Sequence, residues 1–198
     1  MLYTLLITLK DRKPLSERTV QIDGNLTFAN FANLICDLYG LDGEHLREFI
    51  EKEKICINHP DIDVTTLQQL DTSDPDIHEL LDATKQLSGS TFHLYEYFTD
   101  TDKIIFSYDF GTPRTFVVKK IAEEHQKPLA KKIVLLGWKG SYLVEDTGWP
   151  QGLKEYLHEY KEHKRDEDRW ESWKEFEQRL KPAMTKFDKK NHPELLEK

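Results

Sequence analysis

The stretch IIFSYDFGTPRTFVVKKI, residues 104–121, leaves the chain little choice of local structure. Ile104, Phe106, Tyr108 and Phe110 alternate with Ile105, Ser107, Asp109 and Gly111; beyond a break, Phe116 and Val118 alternate with Thr115, Val117 and Lys119. A two-residue period sends successive side chains to opposite faces of a sheet, so each run reads as a strand. Between the runs stands GTPR, in which Gly111 tolerates a positive φ and Pro113 has its φ preset for a turn. The segment predicts a β-hairpin with Gly111 and Pro113 as structural turn residues.

The same stretch contains Asp-Phe-Gly, the letters that mark a magnesium-holding aspartate in protein kinases. That chemistry also needs a glycine-rich loop, a strand lysine and an His-Arg-Asp loop upstream. None of these precedes it, and 198 residues are too few for that fold. The expected role of Asp109 is to accept backbone N–H bonds in its own turn.

Similar patterns organise the rest of the chain. Tyr3, Leu5, Ile7 and Leu9 alternate with Leu2, Thr4, Leu6 and Thr8, which predicts a strand over 2–10. A turn around Lys13-Pro14 and a second strand near Arg18 to Ile22 follow. Phe28, Phe31, Ala32, Ile35 and Leu38 recur at three- and four-residue steps, the stripe of a buried helix, with Thr27 as N-cap and Gly40 as C-cap. Cys36 borders that stripe and reads as a packed thiol. Residues 45–58 read as strand or hairpin. DPDIHELLDATKQLSG reads as a helix, with Asp74 at the N-cap, Pro75 in the first turn and Gly89 past the end. Strands are expected at 91–98, 103–110, 114–121 and 131–136. From Pro150 the pattern turns helical, with one stripe at Trp149, Leu153, Tyr156, Leu157 and Tyr160 and another at Trp170, Trp173, Phe176 and Leu180. The run KEHKRDEDR between them is either a solvated stretch of one helix or the corner between two, and Pro182 is expected to end the second stripe's helix.

Charge narrows the partners. The chain has a net charge of -8, and residues 1–150 hold 16 basic against 24 acidic side chains. Such a body repels a phosphate backbone, so nucleic acid is disfavoured. The pairs Lys119-Lys120 and Lys131-Lys132 are the candidate basic surface, but with acidic surroundings the preferred reading is the solvated edge of strands. Two cysteines make no disulfide scaffold, no apolar run reaches membrane-spanning length, and the N-terminus lacks the basic region of a signal peptide. The expected location is the cytoplasm.

Candidate chemistry is sparse. Glu145 and Asp146, adjacent acids before a turn, are candidate metal ligands, but consecutive strand residues face opposite ways and the pair also suits a helix entry. HEYKEH, residues 158–163, resembles the zinc-protease helix, but its histidines are five residues apart where that motif needs four. His45 reads as a strand-end surface or packing residue and, with Asp109, Glu145 and Asp146, completes the weak catalytic candidates. No phosphate loop, Gly-x-Ser-x-Gly or Cys-His motif is present.

The opening strand LYTLLITLKD, the helix leading into YGLDGEHLREF, the FSYDFG segment, VEDTGWPQGLKEYL and the closing FDKKNHPELL occur in an order and spacing that resembles the plasmid pRiA4b ORF-3-like family. The resemblance spans most of the chain. It implies an α+β fold, an antiparallel sheet packed by helices, with a helical C-terminal segment over 151–198, and a bacterial chain from a plasmid or mobile element. It implies no particular reaction. Some relatives are labelled mobile-element resolvases, yet this chain has no nucleophilic-serine and arginine cluster. Where relatives continue the Tyr-Asp-Phe-Gly segment with an acid, Trp and His, this chain has roughly Thr112, Arg114 and Phe116. Relatives' cysteine and paired prolines are replaced by Leu143 and Val144, and their Gly-Gly by Thr147-Gly148. What is kept, Asp109, Gly111, Glu145, Asp146, Gly148 and Gly152, is rich in turn formers.

The sequence reading is therefore one cytoplasmic α+β domain over 1–198 that acts by binding, most simply to another protein, through Trp149, Trp170 and Trp173. No cofactor is expected. The alternatives are a divalent-metal hydrolase built on Asp109, Glu145, Asp146 and His45, and a mobile-element-associated nucleic-acid binder.

Overall fold

The computed structural model describes residues 1–10, 16–51, 54–57, 85–111, 113–125, 133–145, 155, 157–159, 161–162 and 173–184. Among them, eight strands make one sheet: β1 (Leu2–Leu9), β2 (Glu17–Asp23), β3 (Arg47–Glu51), β4 (Lys54–Ile57), β5 (Lys85–Ser88), β6 (Lys103–Tyr108), β7 (Arg114–Glu124) and β8 (Ile133–Lys139). Their spatial order is β5-β4-β3-β6-β7-β1-β2-β8. Neighbours are antiparallel throughout except for β4 and β5, which run parallel. The helices with bounds among the described residues are α1 (Phe28–Tyr39), α2 (Leu94–Phe98) and α3 (Trp173–Met184), and with the sheet they make this an α+β protein.

Alternation decides which way each strand faces. Tyr3, Leu5, Ile7 and Leu9 of β1, Val20 and Ile22 of β2, Phe49 of β3, Ile104, Phe106 and Tyr108 of β6, and Phe116 and Val118 of β7 form one buried face. Helix α1 lies on it, because its whole expected stripe is apolar and Leu34, Cys36 and Tyr39 widen that stripe. Ring contacts show the fit. Phe28 and Phe31 of α1 meet Phe49 with centroids 4.9 and 5.5 Å away. Phe49 meets Phe106 at 4.8 Å, and Tyr39 meets Phe116 at 4.7 Å.

Helix α1 is fixed at both ends. Three amides of its first turn are satisfied: Phe28 N–H by the Phe92 carbonyl, Ala29 N–H by the Gly89 carbonyl, and Asn30 N–H by Thr27 Oγ1. At the other end Gly40 adopts φ 73°, its N–H reaching the Asp37 carbonyl and the Leu41 N–H reaching that of Cys36. This is a Schellman closure, which requires a residue without a Cβ penalty at the left-handed position.

Arg18 is the least expected core member. It stands in phase with Val20 and Ile22 and is 0% exposed. Its Nε donates to the Leu38 carbonyl at 3.0 Å, its Nη1 to those of Glu17 (2.9 Å) and Lys139 (2.6 Å), and its Nη2 to that of Ser141 (3.3 Å). The guanidinium carbon sits 4.7 Å above the Tyr39 ring. Leu38 lies in the last turn of α1, where carbonyls lack intrahelical partners and the helix dipole favours a cation. Gly140, at φ 79°, lets the carbonyls on both sides of it turn toward Arg18, and a Cβ there would come within 2.9 Å of Ser16 Oγ.

Three sequence expectations are corrected. Residues 85–88 form strand β5, not the end of a helix, and the Gly89 carbonyl binds the start of α1. Residues 91–98 are not a strand: Leu94, Tyr97 and Phe98 face inward at helical spacing, and Glu96 Oε2 accepts the His93 N–H at 2.7 Å to start α2. The aromatic residues that suggest a strand serve a helical stripe equally well. Finally, α3 runs through Pro182 to Met184. A proline in the last turn leaves most of the hydrogen-bonded ladder before it intact. Phe176 of α3 is buried. The expected helical pattern from 150 to 162 has helical backbone at 155, 157–159 and 161, and the choice between one helix and two lies outside the described residues. No described helix is long and apolar enough to cross a membrane.

Replacing Arg18 with Met is expected to lower unfolding free energy by about 3 kcal/mol, because several buried carbonyls lose their donor. Arg18→Lys restores less than half, since an ammonium cannot reproduce the forked geometry. Urea unfolding of the three proteins checks both.

Candidate functional site: a tyrosine between two carboxylates

Tyr108 closes β6 in phase with Ile104 and Phe106, so its ring is buried while its hydroxyl reaches the end of the sheet. Residues 40–46 cross that end directly after the Schellman turn. The hydroxyl accepts the Gly43 N–H at 3.1 Å and lies 2.8 Å from Asp42 Oδ1 and 3.0 Å from Glu145 Oε1. The Asp42 N–H donates to the same Glu145 oxygen at 3.0 Å, and the Glu44 N–H donates to Asp42 Oδ1 at 2.9 Å. Glu145 is delivered by a segment pinned at two points. The Leu143 N–H donates to the Tyr39 carbonyl at 2.7 Å, and Arg114 Nη2 donates to the Val144 carbonyl at 2.7 Å.

Beside this cluster lies a second pair. Asp109 has φ 61°, the one positive value at a non-glycine among the described residues. Its Oδ1 accepts the Gly111 N–H at 3.1 Å, its N–H donates to the Leu46 carbonyl at 2.9 Å, and His45 Nδ1 stands 3.6 Å from Oδ1. The His45 ring packs edge-on against Tyr108 at 5.6 Å. Behind them Arg47 is buried, its Nη2 donating to Asn33 Oδ1 at 2.8 Å and its Nη1 lying 3.4 Å from Cys36 Sγ.

Burial raises the pKa of Tyr108, and its hydrogen bonds and charges from Asp42 and Glu145 push the same way. Burial also raises that of Glu145, with the Asp42 charge adding to it, while the Asp42 amide, the Tyr108 hydroxyl and the Arg114 charge pull it back. Glu145 Oε2 is buried and accepts no hydrogen bond. Burial lifts the Cys36 thiol to about 11 against the opposing pull of Arg47, which leaves it a packed and unreactive group.

Asp109, Glu145 and His45 thus meet around Tyr108, but at two points: Glu145 on the hydroxyl, and His45 with Asp109 beside the ring. Asp146, Gly148, Trp149, Gly152 and Trp170 lie outside the described residues. Gly111 and Pro113 stand in the β6–β7 loop, and Trp173 begins α3. Among the described residues, no three His, Cys, Asp or Glu side chains are placed to share a metal ion. Lys120 donates to the Phe98 carbonyl at the end of α2 and pairs with Glu123 at 3.0 Å and Asp102 at 3.2 Å, so half of the first basic pair is engaged within the fold. Lys131 and Lys132 lie outside the described residues. Sequence reasoning missed Asp42 and Tyr108. Their one signal was Tyr108 standing in an apolar phase, with a hydroxyl that needs a partner when buried.

Phe116 is spent on packing against Tyr39, and Arg114 on holding Val144. The family described as plasmid pRiA4b ORF-3-like protein matches residues 1–191. The chain belongs to that family. No curated protein matches it. The crystal structure of a protein of unknown function, MM3350, from Methanosarcina mazei Go1 has the same fold. It superposes with a TM-score of 0.64 at 20% identity, covering 94% of this chain and 91% of that one.

The left-handed backbone at Asp109 separates two substitutions. Asp109→Asn keeps both a tolerated left-handed residue and an oxygen for the Gly111 N–H, and is expected to change stability by less than about 0.5 kcal/mol. Asp109→Ala loses the bond and strains the backbone, costing about 2 kcal/mol. Thermal or urea unfolding measures the difference.

Proposed function

We propose that this pRiA4b ORF-3-like protein is a cytoplasmic, non-catalytic module that binds another protein. One observation carries the reading: Asp109 and Glu145, the described acids of a hydrolase site, are already used inside the fold. Asp109 holds its turn, and Glu145 holds the Asp42 amide and the Tyr108 hydroxyl. The contact face we favour is the end of the sheet above this cluster. Leu46 is 39% and Phe110 50% exposed, and the Asp109-to-Leu46 backbone bond sets their segments side by side. Exposed Asp42 and Glu44 rim them, so the partner that fits is a cationic segment carrying an aliphatic or aromatic side chain. Trp149, Trp170 and Trp173 are proposed to extend the contact along the C-terminal segment.

The test pairs Leu46→Ser with Phe110→Ser and uses Ile121→Ser, another half-exposed apolar side chain, as control. Affinity capture with quantitative mass spectrometry, together with light scattering for self-association, is expected to show one bound species. Its affinity should fall about thirtyfold in the double variant and stay unchanged in the control. A monomeric chain that captures nothing the double variant loses overturns the proposal.

The second reading, a divalent-metal hydrolase, draws on the meeting of His45, Asp109 and Glu145 around Tyr108. It requires Mg, Mn or Zn to raise the melting temperature and Asp109→Asn to abolish the rise. Our reading expects no metal-dependent rise in either protein.

A further inference from the structure

The contact face proposed above rests on residues 40–46, and those residues are fastened by an arrangement with more acceptors than protons. Tyr108 has one hydroxyl hydrogen, yet two carboxylate oxygens lie within 3.0 Å of its oxygen, which also accepts the Gly43 N–H. With both carboxylates ionised, one of the two short oxygen–oxygen contacts has no hydrogen of its own. The cluster also holds Glu145 Oε2 buried with no hydrogen bond. A buried anionic oxygen without a partner is far more costly than a buried neutral one. One added proton resolves both problems. Carried on Oε1, it is donated to the Tyr108 oxygen and leaves Oε2 a neutral carbonyl oxygen in place of a buried anionic one.

We propose that Asp42, Tyr108 and Glu145 form a proton-held clasp that fastens residues 40–46 to the end of β6 in mildly acidic conditions and releases them as the proton is lost. The clasp would thereby regulate the Leu46 and Phe110 face, so its biological meaning rests on the binding reading, while its existence does not. Among the described residues, the groups facing it come from several elements. Glu44 and His45 come from the same segment, Asp109 and Arg114 from the β6–β7 hairpin, and Cys36 from α1, with Arg47 behind. Arg114 favours release, because its charge stabilises the ionised Glu145, but its Nη2 is tied to the Val144 carbonyl, and the Asp42 charge favours the proton.

Burial raises the proton affinity of Glu145 in the folded chain above that in the unfolded chain. The resulting stability is fully present below the unfolded carboxylate range and is lost as pH rises through the raised folded value. The sign is opposite to that of an ordinary salt-bridged glutamate.

The experiment uses the intact purified chain and no partner. Hydrogen exchange followed by NMR reports the Asp42, Gly43 and Glu44 amides, the three that donate into the clasp. Between pH 4.5 and 8 their protection factors, corrected for intrinsic rates, are expected to fall severalfold as Glu145 loses its proton. Protection at Leu143, outside the clasp, should hold. In Glu145→Gln, which mimics the protonated acid, the fall should disappear. If that variant does not fold, the carboxyl carbon shift of Glu145 in the wild-type protein decides: a midpoint above the ordinary glutamate range supports the clasp. Flat wild-type protection, parallel profiles in wild type and Glu145→Gln, or an ordinary Glu145 midpoint would each overturn it. Capture of the binding partner at the two pH limits is read separately. A clasp that titrates without changing capture removes the binding face and leaves the clasp standing, whereas capture that survives a failed titration does the reverse.

Discussion

The guanidinium of Arg18 is the point at which helix and sheet are made one object. Its donors reach the carbonyl of Leu38 at the end of α1, its neighbour Glu17 on β2, Lys139 at the end of β8, and Ser141 beyond it. A cation placed at 0% exposure is tolerable only because these carbonyl dipoles, the C-terminal end of α1 and the face of Tyr39 surround it. The carbonyls, for their part, would otherwise be buried without partners. The geometry that satisfies Arg18 also sets where α1 stops, and that stop launches residues 40–46 across the sheet end.

From that stop the site follows in order. Gly40 turns the chain and Leu41 tucks into the core. Asp42 and Gly43 are thereby presented to Tyr108. The chain after Ser141, steered by the same arginine, brings Glu145 to the hydroxyl from the other side. Asp109, His45, Asp42 and Glu145 thus belong to one local network because three distant segments end at one corner of the sheet. Within it the carboxylates serve as acceptors for amides and a phenol, which is chemistry of attachment.

Legibility in the sequence varied with the range of the interactions. Helix α1 was readable to the residue, because its stripe, Thr27 and Gly40 are local signals, and the β6–β7 hairpin was readable because alternation and GTPR are adjacent. Strand β5 was misread, because its four residues follow a proline-punctuated helical pattern and its pairing with β4 is a long-range event. Helix α2 was misread because aromatic residues favour strands when judged singly. The cluster at Tyr108 was half legible. Asp109, His45 and Glu145 stood out by residue type, whereas Asp42 and Tyr108 acquire their roles only through contacts across 37 to 66 positions of the chain. The in-phase polar residue was the missed clue: Arg18 beside Val20 and Ile22, and Tyr108 beside Phe106, are groups an apolar face accepts only when a partner waits there.

Strand β1 lies between β2 and β7, with Leu9 opposite Phe116 and Leu2 opposite Glu124. On the ribosome β1 therefore waits for one of its two neighbours until β7, about a hundred residues later, has been translated. Closing such distant pairings is slow, and a lone apolar ribbon meanwhile is a template for wrong partners. The same permutation that builds a sturdy central strand thus leaves one flank of β1 unpaired until β7 arrives, and a truncation before β7 would keep it so.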